Sequence, residues 1–167
     1  MVADLARAVE AVSAVQDPEL PLVTLADLGI VRAVAVDGGR VTVTLTPTYT
    51  GCPAMHEMAQ DVRRRLAAAG FDEVEVRSVL SPAWSTDWIT PEGRRKLEAA
   101  GLAPPLPAPS PPGERVPLAL RSHRRPVRCP RCGSERTERQ SAFSSTACKA
   151  LYRCVACAEP FEYFKEL

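Results

Sequence analysis

Apolar positions along the first hundred residues change period several times, and each change marks an element. Leu5, Val9, Val12 and Val15 recur at helical spacing, so the chain opens with an amphipathic helix that ends before Asp17-Pro18, since proline disfavours helix at the residue before it. The loop DPELP follows. Residues 31–36 and 41–45 are β-branched and partly alternating, and Asp37-Gly38-Gly39 supplies turn chemistry between them, which predicts two adjacent antiparallel strands. From 53 to 69 the residues Met55, Met58, Ala59, Val62, Leu66 and Ala69 form one helical face, with Pro53 suited to the first helical position and Gly70 to the stop. Residues 74–79 offer a third strand, and Thr90-Pro91 with Gly101 bounds a short helix whose Leu97 is expected over the same core.

These elements predict a small α/β unit of two layers, a three-stranded sheet with helices, over residues 1–102. The pattern then stops. APPLPAPSPPGERVP, residues 103–117, holds seven prolines, favours extended polyproline geometry and cannot build a core, so 103–126 reads as a linker. Residues 127–167 are too few to fold by apolar burial alone and need another source of stability.

Cysteine supplies it. Cys129-Pro130-Arg131-Cys132-Gly133 and Cys154-Val155-Ala156-Cys157 are two Cys-x-x-Cys knuckles, and four thiolates close a tetrahedral coordination sphere with no open position for a catalytic water. This predicts a four-cysteine zinc ribbon, although a tetrahedral thiolate site also accepts iron. Cys148 is a surplus thiol, either a buried small side chain or a fifth, exchangeable ligand. The sixth cysteine, Cys52, precedes Pro53 and reads as the N-cap of the second helix, either a small capping residue without chemistry or a thiol depressed by helix-end amides and exposed by the loop around Pro47 and Gly51, suited to a nucleophile or a transient metal ligand. His56 lacks the orienting third group that a cysteine hydrolase needs. Asp17 and Glu19 flank Pro18 and read either as a solvated turn or as carboxylates beside Cys52.

Bulk composition narrows the partners. With 21 Lys+Arg against 20 Asp+Glu the net charge is +1, so no global commitment to nucleic acid or an anionic membrane exists. The amino terminus, with Asp4 and Glu10 among its apolar residues, has no uninterrupted apolar run, which predicts neither signal peptide nor spanning helix and places the protein in the cytoplasm, where cysteines favour metal over disulfides. Trp84, Asp87 and Trp88 cluster in a chain only 5% aromatic and read as core or as a partner surface. Arg121, Arg124, Arg125, Arg128 and Arg131 crowd the first knuckle and raise a nucleic-acid-binding regulator as a competing class, but no stacking aromatics are interleaved with them. No Glu-x-x-His pairs of a di-iron bundle, dinucleotide-binding glycine fingerprint or plant-type cluster spacing occurs, so oxidation and electron transfer lie elsewhere.

DPELP, LADLGIV and LTPTYTGCPAM resemble the small iron–sulfur-assembly domain shared by SufT-like bacterial proteins and the cytosolic cluster-targeting machinery of eukaryotes. WSTDWITPEGRRKL, CPRCGS and STACKALYRCVACAEPFEYFKEL make the whole chain, apart from the proline-rich linker, similar to the D-subunit (PaaJ) family of bacterial phenylacetyl-CoA epoxidase, which joins that domain to a zinc module. The resemblance implies a non-catalytic maturation factor of aerobic phenylacetate catabolism, with Cys52 as the functional thiol and Asp17 and Glu19 nearby. Cys52 would hold iron or an iron–sulfur cluster transiently at a homodimer interface and pass it to an epoxidase subunit, the iron–sulfur reductase above all, while the zinc module docks the client. The alternative is a structural subunit or adaptor of the epoxidase. One departure is Ser144, where the family pattern leads to glycine.

Overall fold

The computed structural model describes residues 2–106 and 126–165. Most of the proline-rich linker, and with it Arg121, Arg124 and Arg125, lies outside the described residues. The chain divides into two compact units, one up to Lys96 and one from Leu97 onward.

The first unit begins with helix α1, Val2–Ser13. Its buried face differs from the expected one: Ala8 and Val12 are buried, whereas Leu5 and Val9 are 40% and 42% exposed. Helix α1 packs on strand β1 (Val31–Asp37) and on helix α2 (Met55–Ala68). Centring that contact on the small Ala8 lets the backbones approach and turns the larger side chains outward. β1 pairs antiparallel with β2 (Arg40–Leu45) through the expected turn at Gly38 and Gly39. β3 (Glu73–Ser78) lies on the other side of β2 and runs parallel to it, giving the order β1-β2-β3. The parallel pairing requires a crossover, and α2 is that crossover. Central β2 carries the core: Val41, Val43 and Leu45 are fully buried, alternating with Thr42 and Thr44.

Two polar devices fix the loops around this sheet. Thr24 and Asp27 exchange reciprocal bonds at 3.0 Å, the Asp27 amide donating to Thr24 Oγ1 and the Thr24 amide to Asp27 Oδ2. Asp27 Oδ2 also accepts Lys96 Nζ at 2.7 Å, and its carbonyl accepts the Thr90 amide at 2.8 Å. These bonds tie the LADLG turn to helix α3 (Pro91–Ala99), which Thr90 Oγ1 caps by accepting the Gly93 amide at 3.0 Å. Gly29 is obligatory there: its φ is +67°, and a Cβ would stand 2.5 Å from the Trp88 carbonyl oxygen.

The second unit is a four-stranded sheet in the order β4-β7-β6-β5. β5 (Thr137–Ser141), β6 (Lys149–Cys154) and β7 (Pro160–Phe164) form an antiparallel meander. β4 (Leu102–Ala103) pairs parallel with β7, so the two residues where sequence composition turns proline-rich are sheet residues with buried side chains. Its core is a small cluster of Ala103, Val127, Cys129, Cys154, Phe161 and Tyr163, with Tyr152 stacked against Phe161 at 5.9 Å. The architecture is therefore the expected α/β two-layer unit plus a ribbon.

Candidate functional site

The ribbon gathers its four ligands from two turns. The Gly133 amide donates to the Cys129 carbonyl at 2.8 Å, the Cys129 amide to Ser134, and the Cys154 amide to Glu159, closing both knuckles. All four sulfurs lie within 4.8 Å of one another, with Cys129 to Cys157 at 3.8 Å and Cys132 to Cys154 at 3.6 Å. A zinc ion bonded to sulfur at about 2.3 Å sets tetrahedral sulfur–sulfur edges of about 3.8 Å, so the donor set and these two spacings fit zinc. Backbone N–H groups of Cys157 and then Ala156 point at Cys154 and hold its thiol down at about 6. Such amide donors stabilise a thiolate before any ion arrives. The ribbon is a structural zinc centre.

Cys148 is not part of it. It stands just before β6, whereas Cys154 ends that strand, six residues and about 20 Å further along. The Cys148 thiol is buried, with Thr146 Oγ1 at 3.0 Å, which removes the fifth-ligand reading and leaves the buried small side chain. Ser144 needs no glycine-like backbone, since Ala158 is the one non-glycine residue with positive φ among the described residues. Its hydroxyl instead donates to Glu162.

The thiol of the first unit sits in different surroundings from those expected. Helix α2 begins at Met55 with Ala54 as its N-cap, so Cys52 lies two residues before the cap, in a turn whose Met55 amide donates to the Cys52 carbonyl at 3.3 Å. Burial pushes the Cys52 thiol above its ordinary value, and the negative charges of Glu19 and Asp17 add to the rise. Hydrogen bonds from the Ala54 amide and the Tyr49 hydroxyl pull the other way. The expectation of a depressed, exposed thiol is thus corrected: one helix-end amide does reach the sulfur, but desolvation and two carboxylates outweigh it. Tyr49 went unnoticed in the sequence, where only its neighbours Thr48 and Thr50 signalled the loop.

Asp17 and Glu19 do lie close enough to act on Cys52, but Asp17 is also committed to its own loop. It is 4% exposed, and its Oδ1 accepts the Glu19 and Leu20 amides, both at 2.8 Å. Among the described residues, the four ribbon cysteines are the one group of three or more His, Cys, Asp or Glu whose ligand atoms converge on an ion-sized site. Cys52, Asp17 and Glu19 therefore do not form a complete second one.

The aromatic cluster divides. Trp84 is core: it is 5% exposed and donates its indole N–H to the Leu28 carbonyl at 2.9 Å. Trp88 is half-buried under the Arg32 guanidinium, 3.5 Å from its ring, and Asp87 is exposed. Arg128 and Arg131 of the basic run are ion-paired with Glu135 and Glu159, which leaves less free charge there for a phosphate backbone. No helix among the described residues is long and apolar enough to cross a membrane.

Comparison with known proteins follows this division. Residues 5–78 match the family described as iron-sulfur cluster assembly protein, and residues 113–165 match the PaaD zinc beta ribbon domain. A protein of Escherichia coli K12 named as the D subunit of 1,2-phenylacetyl-CoA epoxidase is 46% identical over 154 residues, 92% of this chain and 87% of that one. An Fe-S protein maturation auxiliary factor of Porphyromonas gingivalis is 36% identical over 85 residues, half of this chain and 80% of its own. A crystal structure of a DUF59 domain from Bacillus anthracis superposes with a TM-score of 0.53 at 30% identity, covering 57% of this chain and 92% of that domain. By its similarity over nearly the whole length, the chain belongs to the family of the 1,2-phenylacetyl-CoA epoxidase D subunit.

Proposed function

We propose that this chain is a non-catalytic accessory factor that matures the phenylacetyl-CoA epoxidase of aerobic phenylacetate catabolism, delivering iron or an iron–sulfur cluster to its reductase or oxygenase component in the cytoplasm. The observation that carries the reading is Cys52: a buried thiol hydrogen-bonded by the Tyr49 hydroxyl and within reach of the charges of Glu19 and Asp17, in the region that matches the iron–sulfur assembly family. Relatives of that region are named as maturation auxiliary factors. Because burial and the carboxylates keep the thiol protonated, cargo binding must displace its proton, which makes the thiolate–metal bond easy to reverse. The ligand set is incomplete, so the remaining ligands come from a second copy or from the client, and a homodimer supplies a second Cys52. The zinc ribbon stays outside the transfer.

The same incompleteness favours one other reading, an adaptor or structural subunit with no cargo. Elemental analysis and absorbance spectra of anaerobically purified wild type and Cys52→Ser separate the two. Zinc in both proteins with iron in the wild type alone is expected of a carrier; zinc in both and iron in neither is expected of an adaptor.

A further inference from the structure

The loop between β5 and β6 presents the largest exposed apolar side chain of the ribbon, Phe143, which is 64% exposed. A floppy tip would explain an exposed phenylalanine cheaply, but this loop is heavily bonded. Glu162 accepts the hydroxyls of Ser144 and Ser145, the latter at 3.0 Å, and pairs with Lys149 Nζ at 2.9 Å. The Ser144 amide donates to the Lys149 carbonyl at 3.1 Å, and the Phe143 amide to Ser141 Oγ at 3.2 Å. Lys149 is only 4% exposed, and burying an ammonium is costly unless it is paired and bonded. The ribbon thus invests a half-buried ion pair in the shape of this tip.

Beside Phe143 stands Lys165. Its Nζ lies 4.4 Å from the ring centroid and donates to the Ala142 carbonyl at 3.2 Å, with no carboxylate partner among the described residues. The strands of the ribbon hold this pair about 15–20 Å from the four ligand cysteines. An exposed aromatic on a bonded loop loses little freedom on binding, which is the profile of an interface anchor.

We propose that Phe143 and Lys165 form a docking tip, Phe143 entering an apolar cavity on the client protein whose rim carries a carboxylate for Lys165. The inference rests on the reading that the chain acts on other epoxidase subunits. The full-length, zinc-loaded protein is titrated against the remaining purified epoxidase subunits by calorimetry at low and high salt, with Phe143→Ala, Lys165→Glu and Leu80→Ala. Phe143→Ala is expected to weaken binding about 30-fold, the scale of a hot-spot truncation. Lys165→Glu weakens it most at low salt, because the new carboxylate repels the rim and salt screens that repulsion. Leu80→Ala, at a residue 57% exposed in the first unit, binds as wild type. Unchanged zinc content and melting temperature show that each variant is folded. Wild-type affinity in Phe143→Ala overturns the docking tip alone and leaves the maturation reading standing. Loss of a self-associated species by Phe143→Ala, with client binding intact, also overturns it by assigning the tip to a second copy. No binding by the wild type overturns the tip together with the function on which it rests.

Discussion

Ala158 follows Cys157 as Gly133 follows Cys132, and both have left-handed backbone, with φ of 63° and 71°. The two knuckles thus share one geometry, but only the first places glycine where that geometry needs it. An L-residue in this region costs roughly 1–2 kcal/mol. Glycine avoids that strain and gives back about 0.5–1 kcal/mol through its freer unfolded chain. The balance favours Ala158→Gly by about 0.5–1 kcal/mol. Folding of so small a module is coupled to metal binding, so the gain appears as apparent zinc affinity, tightened about two- to five-fold. Gly133→Ala acts in the opposite sense by a similar factor, and through the backbone alone, because no atom lies within 4 Å of the added Cβ. Competition with a chromophoric chelator on the full-length chain measures both. Zinc binding by Ala158→Gly that is no tighter than wild type, at full zinc stoichiometry, refutes the strain argument.

Removing zinc by chelation, or one ligand by Cys154→Ser, unfolds the ribbon, because two of the six residues in its buried cluster are themselves ligands. Dispersed amide signals of residues 126–165 should collapse while those of 2–96 persist. Trp84→Phe leaves the Leu28 carbonyl without its indole donor and should destabilise the first unit by about 1–3 kcal/mol in urea unfolding; an unchanged midpoint contradicts the core assignment. The rate of Cys52 alkylation against pH should show an inflection above the ordinary thiol value of 9.0, and Glu19→Gln should lower it, since a negative charge beside the sulfur opposes the thiolate. The folded state holds that proton more tightly than the unfolded chain does, so the stability it contributes is lost as pH rises past 9.0.

Local chemistry was the legible part of this sequence. Turn residues between two β-branched runs define the β1–β2 hairpin, and paired Cys-x-x-Cys spacing defines the zinc ligands, because each depends on neighbours a few residues apart. Properties set by packing were not legible in the same way. Leu5 and Val9 have helical spacing, but which residues face the sheet depends on how closely α1 approaches β1 and α2, and Ala8 takes that place. The position of Cys52 before proline suggested a helix cap, yet its thiol answers to burial and to Asp17 and Glu19, more than thirty residues away in sequence. Tyr49 carried no periodic signal and acts only through the turn that brings its hydroxyl to the sulfur. Leu102 and Ala103 became a strand because β7 offered an edge to pair with, which composition beside a proline-rich stretch does not reveal.

A Cys52 that passes iron or a cluster to an epoxidase subunit leaves its mark on that subunit. The most direct test is the iron and acid-labile sulfide content of the reductase, purified anaerobically from cells that express the other epoxidase subunits with either wild type or Cys52→Ser. Under-loaded reductase is expected with Cys52→Ser, while the variant itself keeps its zinc and its melting temperature. Equal cluster content with both proteins contradicts the transfer.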